Sequence, residues 1–138
     1  MEQKTIDIIN QCAHGSHEGT MKFPEAVGKL LEVGVTFYHV DFLRAESTYY
    51  LSPGESHIVP LPLPDISIGQ EFNRQEMAGA VYSSQYEGQT FPEFLIRSLN
   101  AGCIGYMAYL DGQRVVYSGW LGDTQVEYFP GSAFHPTS

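Results

Sequence analysis

The strongest constraint in this sequence is an internal repeat. Residues 23–61, laid over residues 91–129 at an offset of 68 with no gap, place FPEAVGKLLEVGVTFYHVDFLRAESTYYLSPGESHIVPL over FPEFLIRSLNAGCIGYMAYLDGQRVVYSGWLGDTQVEYF. Identities fall at Phe23/Phe91, Pro24/Pro92, Glu25/Glu93, Leu31/Leu99, Gly34/Gly102, Tyr38/Tyr106, Tyr49/Tyr117 and Gly54/Gly122. Eight identities in 39 positions exceed the roughly two or three that this composition gives by chance. One residue of slippage extends the match upstream, where His17-Glu18-Gly19 meets Tyr86-Glu87-Gly88. A unit of about 68 residues is too small for a secure core of its own, so two units must share one. The spacing predicts a single domain over residues 1–130, with repeats near 4–61 and 73–129, a linker over 60–72 and a flexible tail over 131–138. Pro60, Pro62 and Pro64 favour an extended linker and cannot sit in a central strand.

Each unit reads as helix, helix, strand, strand, strand. Ile8, Ile9, Cys12 and Ala13 recur at helical spacing, as do Met77, Ala78, Val81 and Tyr82 in the second unit. The next helix opens with Phe-Pro-Glu in both units, where proline fits a first turn because its missing N–H has no partner there. Thr90 and Glu93 form a capping-box pattern, and Gly34 and Gly102 follow as C-terminal caps. In the first strands, Thr36, Tyr38, Val40 and Phe42 alternate onto one face, matched by Ile104, Tyr106, Ala108 and Leu110. Asp111-Gly112 suits a hairpin turn into Arg114–Ser118. The third strands fall near 56–60 and 124–129. The expected fold class is α+β, a mainly antiparallel sheet of about six strands with four helices on one face.

Composition narrows the function. Sixteen acidic against seven basic residues leave a net charge of −9, which opposes nucleic-acid binding, since Lys and Arg contacts to phosphate supply most non-specific affinity. The same charge disfavours anionic membranes, and no apolar run approaches the roughly 18 residues of a membrane span. The polar start, Met1-Glu2-Gln3-Lys4, lacks the layout of a signal peptide. Two cysteines, Cys12 and Cys103, are too few for a disulfide framework. A cytoplasmic protein with reduced thiols is expected.

Together, Phe-Pro-Glu with Gly-Val and Tyr in the first unit, Thr-Phe-Pro-Glu-Phe with Ala-Gly-Cys and Tyr in the second, and the strand-rich ends resemble the YbcV-like proteins of enteric bacteria and their prophages. These are also labelled phage-envelope-protein-like. The resemblance spans roughly residues 4–130 and rests on helix starts, glycine caps and strand aromatics. It therefore implies a fold and a bacterial or prophage origin, and carries over no catalytic residue.

Three groups of residues are candidates for a site. If Tyr38, Val40 and Phe42 face the core, Phe37, His39 and Asp41 face away. By comparison with Val126 and Tyr128, the third strand places Ile58 and Pro60 with the core set and His57 and Val59 opposite. His39, Asp41 and His57 could then converge as a metal site with open positions or as a His–Asp general base for a hydrolase. The second group is Cys12-Ala13-His14-Gly15-Ser16-His17-Glu18. There His14 and His17 are weaker metal candidates, since histidine near a helix C-terminus is favourable through the helix dipole alone. The third is an apolar surface of Phe37, Tyr109 and Trp120 on the uncovered sheet face, the kind of patch that marks self-association or a protein partner. No P-loop, G-x-G-x-x-G or G-x-S-x-G occurs, so no cofactor is expected. The leading expectation is a non-catalytic interaction protein, with a homodimer or protein partner. The hydrolase is the alternative, and an acidic nucleic-acid mimic that occupies a basic protein is a third reading.

Overall fold

The computed structural model describes residues 1–132. From residue 133 onward the expected tail lies outside the described residues. The elements run α1 (Gln3–His17), α2 (Phe23–Glu32), β1 (Val35–Asp41), β2 (Glu46–Leu51), β3 (Glu55–Pro60), α3 (Arg74–Tyr86), α4 (Phe91–Asn100), β4 (Cys103–Tyr109), β5 (Arg114–Gly119) and β6 (Thr124–Tyr128). The strands form one six-stranded sheet in the order β3-β2-β1-β4-β5-β6, and every neighbouring pair is antiparallel. This is the expected α+β class. No helix is long and apolar enough to cross a membrane among the described residues.

Local chemistry accounts for the helix boundaries. At α4 the Thr90 side chain accepts from the Glu93 N–H while the Glu93 carboxylate accepts from the Thr90 N–H, closing the capping box. Those hydrogen bonds from Thr90 hold the Glu93 carboxyl below its ordinary pKa. Asn73 caps α3 by accepting from the Glu76 N–H. The chain leaves α2 and α4 through Gly34 and Gly102, at φ 92° and 85°.

The halves match in register as well as in element order. Tyr38 pairs with Tyr49 as Tyr106 pairs with Tyr117, and Thr48 pairs with Ile58 as Val116 pairs with Val126. Bulges interrupt β1 between Val35 and Phe37 and β4 between Cys103 and Gly105. At the middle of the sheet His39 lies opposite Met107, 68 residues on. An antiparallel centre with equivalent positions opposed has the geometry of a local twofold axis.

All four helices pack toward one face of the sheet. Ile9, Leu30, Met77 and Leu99 come from α1–α4 in turn and meet Val40, Tyr38, Tyr106 and Ala108 from the central strands in one core. Two expectations need correction. The bulges insert a residue, so Val35 and Cys103 start the buried face, while Thr36 and Ile104 are only partly buried. In α3 the buried stripe is Met77, Ala80 and Val81; Ala78 is exposed, and Tyr82 turns outward to pack on Tyr86.

The segment between β3 and α3 runs along one end of the sheet. Leu61 donates to the Ala45 carbonyl, Gly69 to Leu99 and Asn73 to Ala101. Phe72 then packs against Gly119 at the end of β5. The linker thus closes the core at that end, with Leu63, Ile68 and Phe72 as its apolar contacts.

Candidate functional site

The sheet face away from the helices carries residues that are all partly or fully exposed except Gly105. The strand registers arrange them in three rows across the six strands. One row reads Ser56, Tyr50, Phe37, Tyr109, Arg114, Tyr128. The middle row reads Ile58, Thr48, His39, Met107, Val116, Val126, and the third Pro60, Glu46, Asp41, Gly105, Ser118, Thr124. The first row is a cross-strand aromatic ladder. Phe37 stacks on Tyr50 at 4.6 Å and on Tyr109 at 5.7 Å, and the Arg114 guanidinium lies 4.9 Å from the centre of the Tyr128 ring. Such pairs lock side-chain orientation across the sheet and make the row a rigid surface. A shallow depression of about 410 Å³ borders its middle, between Phe37, Tyr109 and Arg114.

Phe37 and Tyr109 are therefore neighbours, as the alternation implies. Trp120 is half-exposed in the turn between β5 and β6, beyond the opposite ends of the strands from the ladder. Tyr50 and Met107 lie on this face too, and so do Tyr128, Arg114 and Val116, which the sequence reading did not single out. The period-two pattern of β2 and β5 carries them, and hairpin register alone decides which strand positions stand side by side.

The structure does not bring His39, Asp41 and His57 together. Val59 is 2% exposed and Ile58 55%, so the face of β3 is the reverse of the expected one. His57 lies on the helix side, where its Nε2 is 2.9 Å from the Asn10 side-chain oxygen of α1. His39 is on the open side. The Asp41 carboxylate accepts from the backbone N–H groups of Leu43 (2.9 Å) and Arg44 (3.1 Å), which makes it the cap of the β1–β2 turn. The misassignment has a simple cause: Val126, the comparison residue, is itself 43% exposed.

His14 and His17 sit at the end of α1 with rings 6.4 Å apart, and His17 stacks on Phe91 at 6.0 Å. No group of three or more His, Cys, Asp or Glu capable of holding a metal occurs among the described residues. Cys12 and Cys103 are buried free thiols, and burial pushes the Cys103 thiol up to about 11. Both are held as neutral thiols rather than nucleophilic thiolates.

Burial is also the main cause that lowers the His17 pKa from its ordinary 6.5, with His14 adding to the effect and Glu18 opposing it. The unfolded chain therefore binds more protons than the folded one as pH falls below 6.5. Stability present above that value declines with acidification. The thermal midpoint should fall between about pH 7 and about pH 5, and His17→Gln should flatten that part of the curve. An unchanged slope in the variant would assign the titration to another group.

No protein-family model and no curated protein matches this chain.

Proposed function

We propose that this is a non-catalytic interaction protein whose open sheet face pairs with the same face of a second copy. The observation that carries the reading is the registered, uncovered face of six strands, with eight aromatic or aliphatic side chains among the twelve positions of two of its three rows. At about 4.8 Å between strands and about 3.3 Å per residue, the face measures roughly 29 by 17 Å. Two such faces in contact would bury on the order of 1,000 Å², the threshold for a specific interface. Apposed twisted sheets at about 10 Å spacing would form a sandwich with the rings inside.

The YbcV-like resemblance and descent of the halves from one duplicated unit belong to this reading, with matched registers supporting the second. Its test is sedimentation or light scattering of the full chain. A dimer is expected in the micromolar range, with Val116→Lys weakening it by roughly 100-fold through two unpaired charges within the middle row of the contact. A monomeric wild-type chain at about 100 μM would overturn the proposal. So would a Val116→Lys variant as dimeric as its parent.

A further inference from the structure

On the other side of the sheet, the helical layer does not close completely over β4–β6. A partly open cavity of about 110 Å³ remains there. Its inner wall is made of rings: Phe94 lies 6.2 Å from Tyr106 and 6.0 Å from Tyr117, and Phe23 meets Phe129 edge-on at 5.3 Å. Tyr106 and Tyr117 are only 6% and 5% exposed, yet neither hydroxyl forms a hydrogen bond among the described residues. A buried tyrosine hydroxyl normally finds a partner. These two are not among the sealed, unpaired polar atoms, and both tyrosines line the cavity.

Glu127 lines the same cavity. Its counterpart 68 residues earlier is Val59, at the same register position: Val59 opposes Ser47 as Glu127 opposes Val115. One half thus places a buried valine where the other directs a carboxylate between the layers. The Gln125 side chain donates to that carboxylate at 2.7 Å and orients it. Gln89 is fixed at the rim, donating to the Ala80 carbonyl (2.8 Å) and the Ser84 hydroxyl (2.9 Å) and accepting from Arg97 (3.0 Å). The polar groups are therefore held in place before anything binds.

We propose that this cavity binds a small aromatic amine, its single ring among Phe94, Tyr106 and Tyr117 and its ammonium group on the Glu127 carboxylate. The volume is on the scale of the roughly 150 Å³ apolar cavity that holds a benzene ring, and the opening leaves room for a substituent. Aromatic faces carry negative potential and attract a cation. Burial holds both tyrosines neutral, far above the ordinary phenol range, so their oxygens remain available as acceptors. A net charge of −9 draws cations toward the molecule. Lys22, at the rim, directs its ammonium to the Gly88 carbonyl at 2.9 Å. An anionic ligand of the same shape would confront Glu127.

The cavity and the open sheet face lie on opposite sides of the sheet, so either proposal can fail without the other. The test titrates the full chain with 2-phenylethylamine, phenylacetate and toluene, followed by calorimetry and by amide chemical shifts. Saturable binding of the amine is expected, with phenylacetate and toluene each at least about tenfold weaker, the scale of one charge-assisted contact. Glu127→Gln should weaken the amine by about the same factor while leaving the thermal midpoint in place, and Val81→Phe should abolish binding by filling the chamber. If Val81→Phe does not fold, the ligand series and Glu127→Gln decide the matter alone. No saturable response by about 10 mM amine would overturn the proposal, as would equal affinity for phenylacetate or an unchanged affinity in Glu127→Gln.

Discussion

Replacing Gly102 by alanine should destabilise the protein by more than about 3 kcal/mol, whereas the same change at Gly34 should cost only about 1–2 kcal/mol. Both glycines end a helix at positive φ, 85° and 92°, so both substitutions incur the left-handed penalty of an L-residue. They differ in what a new Cβ would meet. At Gly34 the nearest atom is a Leu51 methyl at 3.8 Å, an ordinary contact. At Gly102 the Cβ would overlap the Glu71 carbonyl oxygen, with the carbonyl carbon at 2.7 Å and the Gly69 oxygen at 3.1 Å. That backbone is not free to retreat, because Gly69 and Asn73 donate to Leu99 and Ala101 at 2.9 and 2.8 Å. A chain of this size loses roughly 3–5 °C in melting temperature per kcal/mol. Gly102→Ala should therefore melt at least about 10 °C below its parent, and Gly34→Ala only a few degrees below. Equal midpoints for the two variants would show that the linker shifts aside without cost.

The same pair of glycines shows how far the sequence could be read. Their role as helix ends follows from position alone, since each lies just past an apolar helical run. The collision at Gly102 could not be foreseen, because it depends on where the proline-bearing linker crosses the molecule. The helices, the succession of elements along each half and the sheet class were legible because Phe-Pro-Glu, the capping box and the Tyr-x-aliphatic alternation are local signals, whereas the order of strands across the sheet was not. Nor was register. The bulge at Val35/Phe37 adds a residue that no hydrophobic pattern announces, and it reverses which of Val35 and Thr36 is buried. The candidate face was half visible: Phe37 and Tyr109 were found from alternation, whereas Tyr50 and Tyr128 needed the hairpin pairings that place them in the same row. The cavity was invisible from sequence, since Glu127 reads as an ordinary acid on a surface strand.

The reversed face of β3 yields the other large effect. Val59→Asp should cost about 3–5 kcal/mol, and Ile58→Asp, one residue away, within about 0.5 kcal/mol of nothing in the isolated protomer. Val59 is 2% exposed beneath the helical layer, opposite the buried Ser47. A carboxylate there would be desolvated without a cation to pair it, and a domain of this size has only about 5–15 kcal/mol of stability to lose. Ile58 is 55% exposed and opposes Thr48 on the open face, so aspartate there stays hydrated. Because self-association raises apparent stability by mass action, both variants should be compared in the Val116→Lys background as well as in the parent. In that background denaturant unfolding should find Ile58→Asp indistinguishable from its reference and the Val59→Asp midpoint lowered by the equivalent of about 3–5 kcal/mol. In the parent background Ile58→Asp should keep its fold and weaken the proposed dimer, since it places a charge at the end of the middle row. The opposite pattern, a tolerated aspartate at 59 and a disruptive one at 58, would return His57 to the open face that carries His39, two strands away, and remove the basis for reading that face as a ring-lined contact surface.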